Sequence, residues 1–104
     1  MSTPPAKAKA EQKFRDADSW QLAFDICAKR YQNWLLLWIS RRSAYAECVR
    51  IRIADRHLRH LTKLIDEAHD FALVELDNMR AAARNASSAE LAGRIYYEEH
   101  EENP

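Results

Sequence analysis

Apolar residues recur at alternating steps of four and three along two stretches of the chain. The first stripe consists of Trp20, Phe24, Cys27, Tyr31, Trp34 and Trp38. This is the heptad spacing of a helix that packs lengthwise against another helix. Arg41 occupies the next position of the stripe, where a charged side chain does not suit a core. We therefore predict a turn at residues 40–43.

The second stripe predicts a helix about twice as long as the first, from about Ala44 to Asn85. Its members are Ile51, Ala54, Leu58, Leu61, Ile65, Ala68, Ala72, Leu76, Met79 and Ala83. Two consecutive steps of four after Ala72 predict a local slip in the heptad phase. Ser87 and Glu90 have the spacing of a capping box, so a break at residues 85–88 and a short third helix over 88–98 are predicted.

The backbone composition favours helix throughout, because no glycine or proline occurs from Ala6 to Ala92. The predicted fold is all-α: a helical hairpin with a long second helix and a short C-terminal helix. We predict a disordered N-terminal tail over residues 1–10, a single helical domain over 11–98 and an acidic C-terminal tail over 99–104.

Two features predict that homodimerisation completes this hairpin as a bundle. The first predicted helix covers only half of the second, which leaves apolar surface without an intrachain neighbour. The run from Trp34 to Ile39 is apolar at six consecutive positions, so it surrounds the whole helix circumference and needs more than one neighbour. A second copy of the chain is the simplest partner.

Composition indicates a small cytoplasmic protein without a membrane segment. The 104 residues carry 16 basic and 16 acidic side chains, so the formal net charge is zero. Two cysteines, Cys27 and Cys48, do not form a disulfide framework. The longest apolar run has six residues, whereas a transmembrane helix needs about 20.

Charge is segregated along the second stripe. Residues 41–63 carry seven basic and two acidic side chains, and residues 64–79 carry five acidic side chains and no basic one. Three interpretations remain open: a solvated helix face, an antiparallel dimer in which opposite blocks meet, or a basic nucleic-acid surface. The candidate nucleic-acid contacts are Arg50, Arg52, Arg56, Arg59 and Lys63.

Catalytic and metal-binding patterns are weak, and we predict no enzyme activity, no cofactor and no metal site. Asp66 and His69 have the spacing of half a di-iron carboxylate motif, and His57 and His60 share the same step of three. The first helix offers only Asp25 as a further acid beyond its first turn. The chain has no nucleophile elbow, glycine-rich phosphate loop or Cys-x-x-Cys motif.

The segment Leu35–Arg42 resembles the leucine-rich stretch before a substrate-binding arginine in small all-helical chorismate mutases. Arg41 would take the place of that arginine, and the resemblance implies an intertwined helical dimer. Phe24 stands where an earlier arginine of that family would fall, and the later Arg–Glu pair has no counterpart. A small helical enzyme therefore remains a remote alternative, together with a carboxylate-histidine metal protein.

The function predicted from these patterns is a non-enzymatic protein–protein interaction module, such as an adaptor, an inhibitor or a regulatory subunit. Its partners would be a second copy and another protein. Aromatic and arginine side chains dominate binding energy at interfaces. The predicted partner-binding residues are Trp34, Trp38, Tyr45, Arg41, Arg42, Arg52, Arg56 and Arg59. The alternative is a nucleic-acid-binding regulator that uses the basic face.

Overall fold

Two long α-helices account for nearly all of the described chain. The computed structural model describes residues 5–102, with side chains as far as Glu99. Helix α1 spans Pro5–Arg50 and helix α2 spans Asp55–Glu102, with 46 and 48 residues. The two helices pack together, and the described residues contain no strand, so the all-α prediction is confirmed. Neither helix contains an apolar stretch long enough to cross a membrane.

The helix boundaries differ from the predicted ones. Helix α1 continues through residues 40–43, so the predicted turn there is wrong. Helix α2 continues through residues 85–98, so the predicted third helix is part of α2. Residues 40–43 contain neither glycine nor proline, and residues 85–98 contain one glycine, Gly93, and no proline. Packing stabilises helix beyond its local propensity. Because the two helices are nearly equal in length, the predicted length mismatch does not exist.

Helix extends into both of the predicted tails. Helix α1 begins at Pro5, where the fixed φ of proline suits the first helical turn. Residues 5–10 are thus helical, and Ala10 is buried. At the other end α2 extends to Glu102, inside the predicted acidic tail. Residues 1–4 and 103–104 lie outside the described residues.

The connection between the helices is a tight four-residue segment, residues 51–54, that contains no glycine. The N–H of Ile53 donates to the carbonyl oxygen of Cys48 at 3.0 Å, and that of Arg52 donates to Val49 at 3.1 Å. This pair of bonds defines a Schellman motif, which requires a left-handed residue after the helix. Arg52 supplies it with φ 61°. Asp55 in the first turn of α2 complements the positive end of that helix.

The chain divides into two compact units. The terminal unit contains residues 5–26 and 78–102 of the described chain, and the central unit contains residues 27–77. The predicted single domain over 11–98 is therefore distributed between them. Each unit pairs a segment of α1 with a segment of α2.

Small residues form the interior of the terminal unit, one from α1 and the others from α2. Ala10, Ala82, Ala89 and Gly93 are buried. A Cβ atom placed on Gly93 would lie 2.7 Å from the Phe14 ring, so the aromatic side chain occupies the space that a larger residue would need. Lys9 Nζ lies 5.6 Å from the centroid of the Tyr96 ring. These contacts place α1 and α2 antiparallel in this unit.

The central unit has the same antiparallel arrangement, with Ala68 and Ala72 buried. The inner positions of α2 keep a strict heptad, which we name the α2 seam. The seam consists of Leu58, Leu61, Ile65, Ala68, Ala72 and Glu75, and continues in α2 with Met79, Ala82, Ala86, Ala89, Gly93 and Tyr96. All of these residues are buried or half-buried. Leu76 and Ala83, which the predicted slip after Ala72 assigns to the inner face, are half-buried as well, so the slip stays a prediction.

We expect Gly93→Ala to lower the free energy of unfolding by about 1 kcal/mol. Overpacking against Phe14 costs about 1–3 kcal/mol, and this exceeds the gain of about 1 kcal/mol from higher helix propensity. Urea denaturation followed by circular dichroism measures the change. In a Phe14→Ala background the same substitution should raise the free energy of unfolding by about 1 kcal/mol. The same sign in both backgrounds would contradict the packing role of Gly93.

Arg52→Gly should raise the free energy of unfolding by up to about 1 kcal/mol, because glycine adopts positive φ without steric strain. Thermal and urea denaturation provide the measurement. The matched control is Lys63→Gly, an exposed site about two turns into α2, which should be destabilising by about 1 kcal/mol. Equal destabilisation by both substitutions would show that Arg52 is not strained.

Candidate protein interface

All predicted partner-binding and nucleic-acid-binding residues lie in the central unit. Their side chains are not one cluster. Arg41 lies between the two helices, and Arg52 lies in the connection. The others lie on the sides of the helix pair. The aromatic contacts with α2 define the two sides.

Two aromatic pairs flank the α2 seam on opposite sides. The Trp34 ring stacks on Phe71 with centroids 4.7 Å apart and an interplanar angle of 20°. The Trp38 ring lies 6.0 Å from the His69 ring at 47°. His69 and Phe71 are two residues apart, which is about 200° around a helix. We call these the Trp34 side and the Trp38 side.

The Trp34 side is an exposed apolar patch. Leu37 lies one turn after Trp34, and Val74 one turn after Phe71, so both extend the stacked pair. Phe71 is 46% exposed, Val74 53% and Leu37 37%. A shallow groove beside Trp34 is lined by Arg30, Asn33, Trp34 and Leu37. This patch has no covering element within the central unit.

The Trp38 side combines aromatic and basic groups. The Arg42 guanidinium lies 4.6 Å from the centroid of the Trp38 ring, which is a cation–π geometry. Tyr45 follows on the same side and separates two grooves with volumes of about 320 and 340 Å³. We call them together the Tyr45 groove. Its lining consists of Asp55, Leu58, Arg59 and Thr62 in one part and Arg42, Ala46, Thr62 and Ile65 in the other.

The Tyr45 groove brings three predicted residues together. Arg42 belongs to α1 and Arg59 to α2, so each helix contributes one cation to its border. Leu58 and Ile65 provide an apolar floor from α2. An occupant with apolar side chains between carboxylates would match this order of groups.

Arg41 and Arg50 are engaged within the chain. Arg41 Nη1 donates to the backbone carbonyl oxygen of Leu64, so a charged side chain can occupy the α1 position that faces α2. Arg50 Nε donates to Glu47 Oε2 at 3.0 Å, and this hydrogen bond lowers the pKa of the Glu47 carboxyl. Both arginines are therefore held by other groups of the same chain.

The remaining predicted cations are exposed. Arg52 lies in the connection, and Arg56, Arg59 and Lys63 follow along the outer surface of α2. The acidic residues Asp66 and Asp70 continue the same helical line after Lys63. The basic surface of α2 is thus one turn away from an acidic one.

Glu75 and Cys27 form a polar pair that sequence reasoning missed. Burial first, and then the charge and hydrogen bond of Glu75, raise the pKa of the Cys27 thiol, while Arg30 opposes the shift. Glu75 Oε2 is buried and has no hydrogen-bond partner among the described residues. The heptad from Ala68 and Ala72 was the available signal, since its next member is residue 75.

Among the described side chains, the histidines do not assemble with acids into a larger cluster. His69 Nδ1 lies 3.5 Å from Asp70 Oδ1, next to the Trp38 ring. Within residues 5–99, no three histidine, cysteine or acidic side chains are grouped closely enough to hold a metal ion.

Comparison with known proteins adds no relative. No protein-family model matches the chain, and neither a curated protein nor a solved structure is similar to it. The functional argument therefore depends on the geometry of the central unit.

We expect Glu75→Gln to lower the pKa of Cys27, because it removes the negative charge that disfavours the thiolate. Burial remains, so part of the shift should persist. The pH dependence of iodoacetamide alkylation in a Cys48→Ser background measures the change, and the reaction midpoint should move to lower pH. Glu67→Gln, an exposed site on the same helix, is the control. Equal midpoints in all three proteins would contradict the contact.

Proposed function

We propose that this chain is a non-enzymatic protein–protein interaction module. In this proposal it works as a homodimer, and its Tyr45 groove binds an acidic amphipathic helix of another protein. Adaptors, inhibitors and regulatory subunits work in this way. The observation that carries the proposal is the placement of Arg42 and Arg59, from different helices, beside two adjacent grooves that share Tyr45 and Thr62.

The groove favours helix-in-groove recognition. In that mode, apolar side chains spaced by three and four residues enter a groove between two helices, and flanking charges fix orientation. Leu58 and Ile65 are spaced by seven residues, so they match two successive turns of a bound helix. Arg42 is already positioned by Trp38, which reduces the entropy lost when it binds a carboxylate.

The accessible surface of the chain supports self-association. It amounts to 7929 Å², whereas a compact monomer of 12.1 kDa has about 6,000 Å². The excess of roughly 1,900 Å² is comparable to the ~1,000–2,500 Å² that each chain loses in an obligate dimer. The largest buried side chains are alanines, so the big apolar residues need another neighbour.

A protein partner fits the charges better than nucleic acid. Asp66 and Asp70 lie on the same outer surface of α2 as Arg56 and Lys63, and they would repel a polyanion that follows the helix. Glu47 holds Arg50. The Tyr45 groove also has an apolar floor, which phosphate contacts do not use.

The binding test uses a double charge reversal, Arg42→Glu/Arg59→Glu. A protein partner enriched from cell extract by the native chain, then purified, should bind the variant at least about tenfold more weakly, since two charge-complementary contacts become repulsive. Isothermal titration calorimetry measures both affinities. Circular dichroism should show equal helix content.

The matched control is Lys7→Glu/Lys29→Glu, which changes the net charge equally at two exposed lysines of α1. It should bind the partner like the native chain. Equal losses of affinity in both double variants would show that the net charge of the chain, and not the Tyr45 groove, causes the effect. Retention on heparin with a steep salt dependence, together with nuclease-sensitive capture, would favour the nucleic-acid alternative instead.

A further inference from the structure

We infer that the Tyr45 groove of each copy holds the C-terminal end of α2 from a second copy, and that the two α2 helices are antiparallel at this contact. We call residues 91–102 the C-terminal segment. The inference rests on the proposed function and adds regulation to it. A second copy is the resting occupant of the groove, and the acidic helix of another protein binds by displacing it.

Two large apolar side chains of the C-terminal segment face away from α1. Leu91 and Ile95 are each two residues from Gly93, which is about 200° around the helix, and Gly93 lies against the Phe14 ring of α1. Leu91 is 60% exposed and Ile95 49%. They form an i, i+4 pair, the spacing with which a helix fills a groove between two others.

The end of the C-terminal segment is acidic. Residues 98–102 contain four glutamates and no lysine or arginine, and the side chains of Glu98 and Glu99 are exposed. These two follow Ile95 by three and four residues, so they flank the apolar pair one turn later. The segment is therefore an acidic amphipathic helix, which is the kind of occupant that the Tyr45 groove requires.

The Tyr45 groove offers the complementary groups in the same order. Leu58 and Ile65 supply apolar contacts, and Arg59 lies next to Leu58. Residues 50–63 carry five basic side chains and one acidic one, a net charge of +4, whereas residues 98–102 carry a net charge of −4. Opposite charges of this kind fix the partner and its orientation.

The charges also determine the direction of the segment. In an antiparallel segment with Leu91 over Ile65, Glu98 lies beside Arg59, because both intervals span about two helical turns. A parallel segment would instead bring its glutamates next to Asp66 of α2, where like charges repel. The antiparallel direction therefore matches apolar groups and charges together.

Charge distinguishes this segment from a second exposed pair of leucine and isoleucine. Leu22 and Ile26 of α1 have the same spacing of four and are also exposed. Lys29 and Arg30 follow them, and these cations would be repelled by Arg59. The pair in α1 therefore provides a matched control for the apolar contact.

A second copy suits the contact because each copy carries both a groove and a C-terminal segment. Two copies that exchange their segments make two equivalent contacts, as an isologous dimer requires. The roughly 1,900 Å² of excess surface is enough for both contacts. While the segments are exchanged, a foreign helix must compete with them for each groove.

The test reverses the charge on each side of the contact and then mixes the variants. Glu98→Lys/Glu99→Lys and Arg56→Glu/Arg59→Glu should each weaken the dimer at least about tenfold, because both contacts become repulsive. An equimolar mixture should recover the dimer, since opposite charges then meet at both contacts. Light scattering after size exclusion gives the masses, about 24 kDa for the dimer and 12.1 kDa for the monomer.

The charge control is Glu11→Lys/Asp25→Lys, which makes the same change at two exposed acids of α1 and should leave the dimer mass unchanged. Circular dichroism should show equal helix content in every variant.

The apolar contact is tested by Leu91→Ser/Ile95→Ser, which should also weaken the dimer at least about tenfold. Leu22→Ser/Ile26→Ser, the matched control, should not. Because its groove is vacant, the first variant should bind the purified protein partner at least about threefold more tightly than the native chain does. Equal affinity would contradict the displacement.

A disulfide reports the position of the segment in the groove. Thr62→Cys and Ile95→Cys are made separately in a Cys27→Ser/Cys48→Ser background. Their oxidised mixture, and neither variant alone, should form a disulfide-linked dimer, because Ile95 lies over Thr62 of the other copy.

The outcomes separate this inference from the proposed function. A native chain that is monomeric at all concentrations overturns the homodimer and the exchange of segments, while the calorimetric test of Arg42 and Arg59 still decides whether the groove binds a foreign helix. A native dimer that mixing does not restore, or equal loss in the charge control, overturns the exchange and leaves the homodimer standing. Recovery of the dimer mass only in the mixture supports the exchange.

Discussion

Close approach of α1 and α2 through small side chains is the constraint on which the rest of the molecule depends. Ala68 and Ala72 in the central unit, and Ala82 and Ala89 in the terminal unit, leave room for the larger residues of α1. At Gly93 no side chain at all fits, because the Phe14 ring occupies the space that a Cβ atom would need. A narrow interior cannot also enclose the large apolar residues. Several of them, Phe71 and Val74 included, therefore stay exposed on the flanks of the helix pair.

Arg41 and Glu75, the two polar residues at inner positions, make different contacts. Arg41 has a long stem that covers apolar surface, and its guanidinium finds the carbonyl oxygen of Leu64. Glu75 is shorter and contacts Cys27, which leaves Oε2 without a donor. A polar residue at one inner position of a bundle commonly fixes the register of its partner helices. Glu75 holds one such inner position in α2.

Sequence periodicity predicted helices well and helix ends poorly. The all-α class followed from the absence of glycine and proline, and the spacing of Leu58, Leu61 and Ile65 identified the buried face of α2. The predicted turn at residues 40–43 rests on the charge of Arg41, which does not suit a core, but a long amphipathic side chain can occupy an inner position. The true connection lacks the usual glycine, since Arg52 accepts positive φ. No local pattern reveals a strained residue of that kind.

The candidate site was predicted in composition but not in arrangement. The sequence predicts that Trp34, Trp38 and Tyr45 form one apolar contact. In the structure, Trp34 stacks on Phe71 and Trp38 lies beside His69, on opposite sides of α2. The choice between the two sides depends on which α2 residue each ring meets. Tertiary register determines that pairing, and one helix considered alone does not contain it. Glu75 is not predicted by the apolar periodicity, because a charged residue does not count as an apolar position.

The consecutive residues Arg41 and Arg42 make different contacts. Arg41 and Arg42 differ by about 100° around α1, so one reaches into the helix pair and the other lies over Trp38. Arg42 and the Tyr45 groove belong to the Trp38 side, whereas the stacked Trp34 and Phe71 belong to the other. A contact on the Trp34 side would therefore leave the groove accessible. In the proposed function, a contact through the Trp34 side and recognition through the Tyr45 groove would use different sides of the same two helices, so different substitutions would alter them.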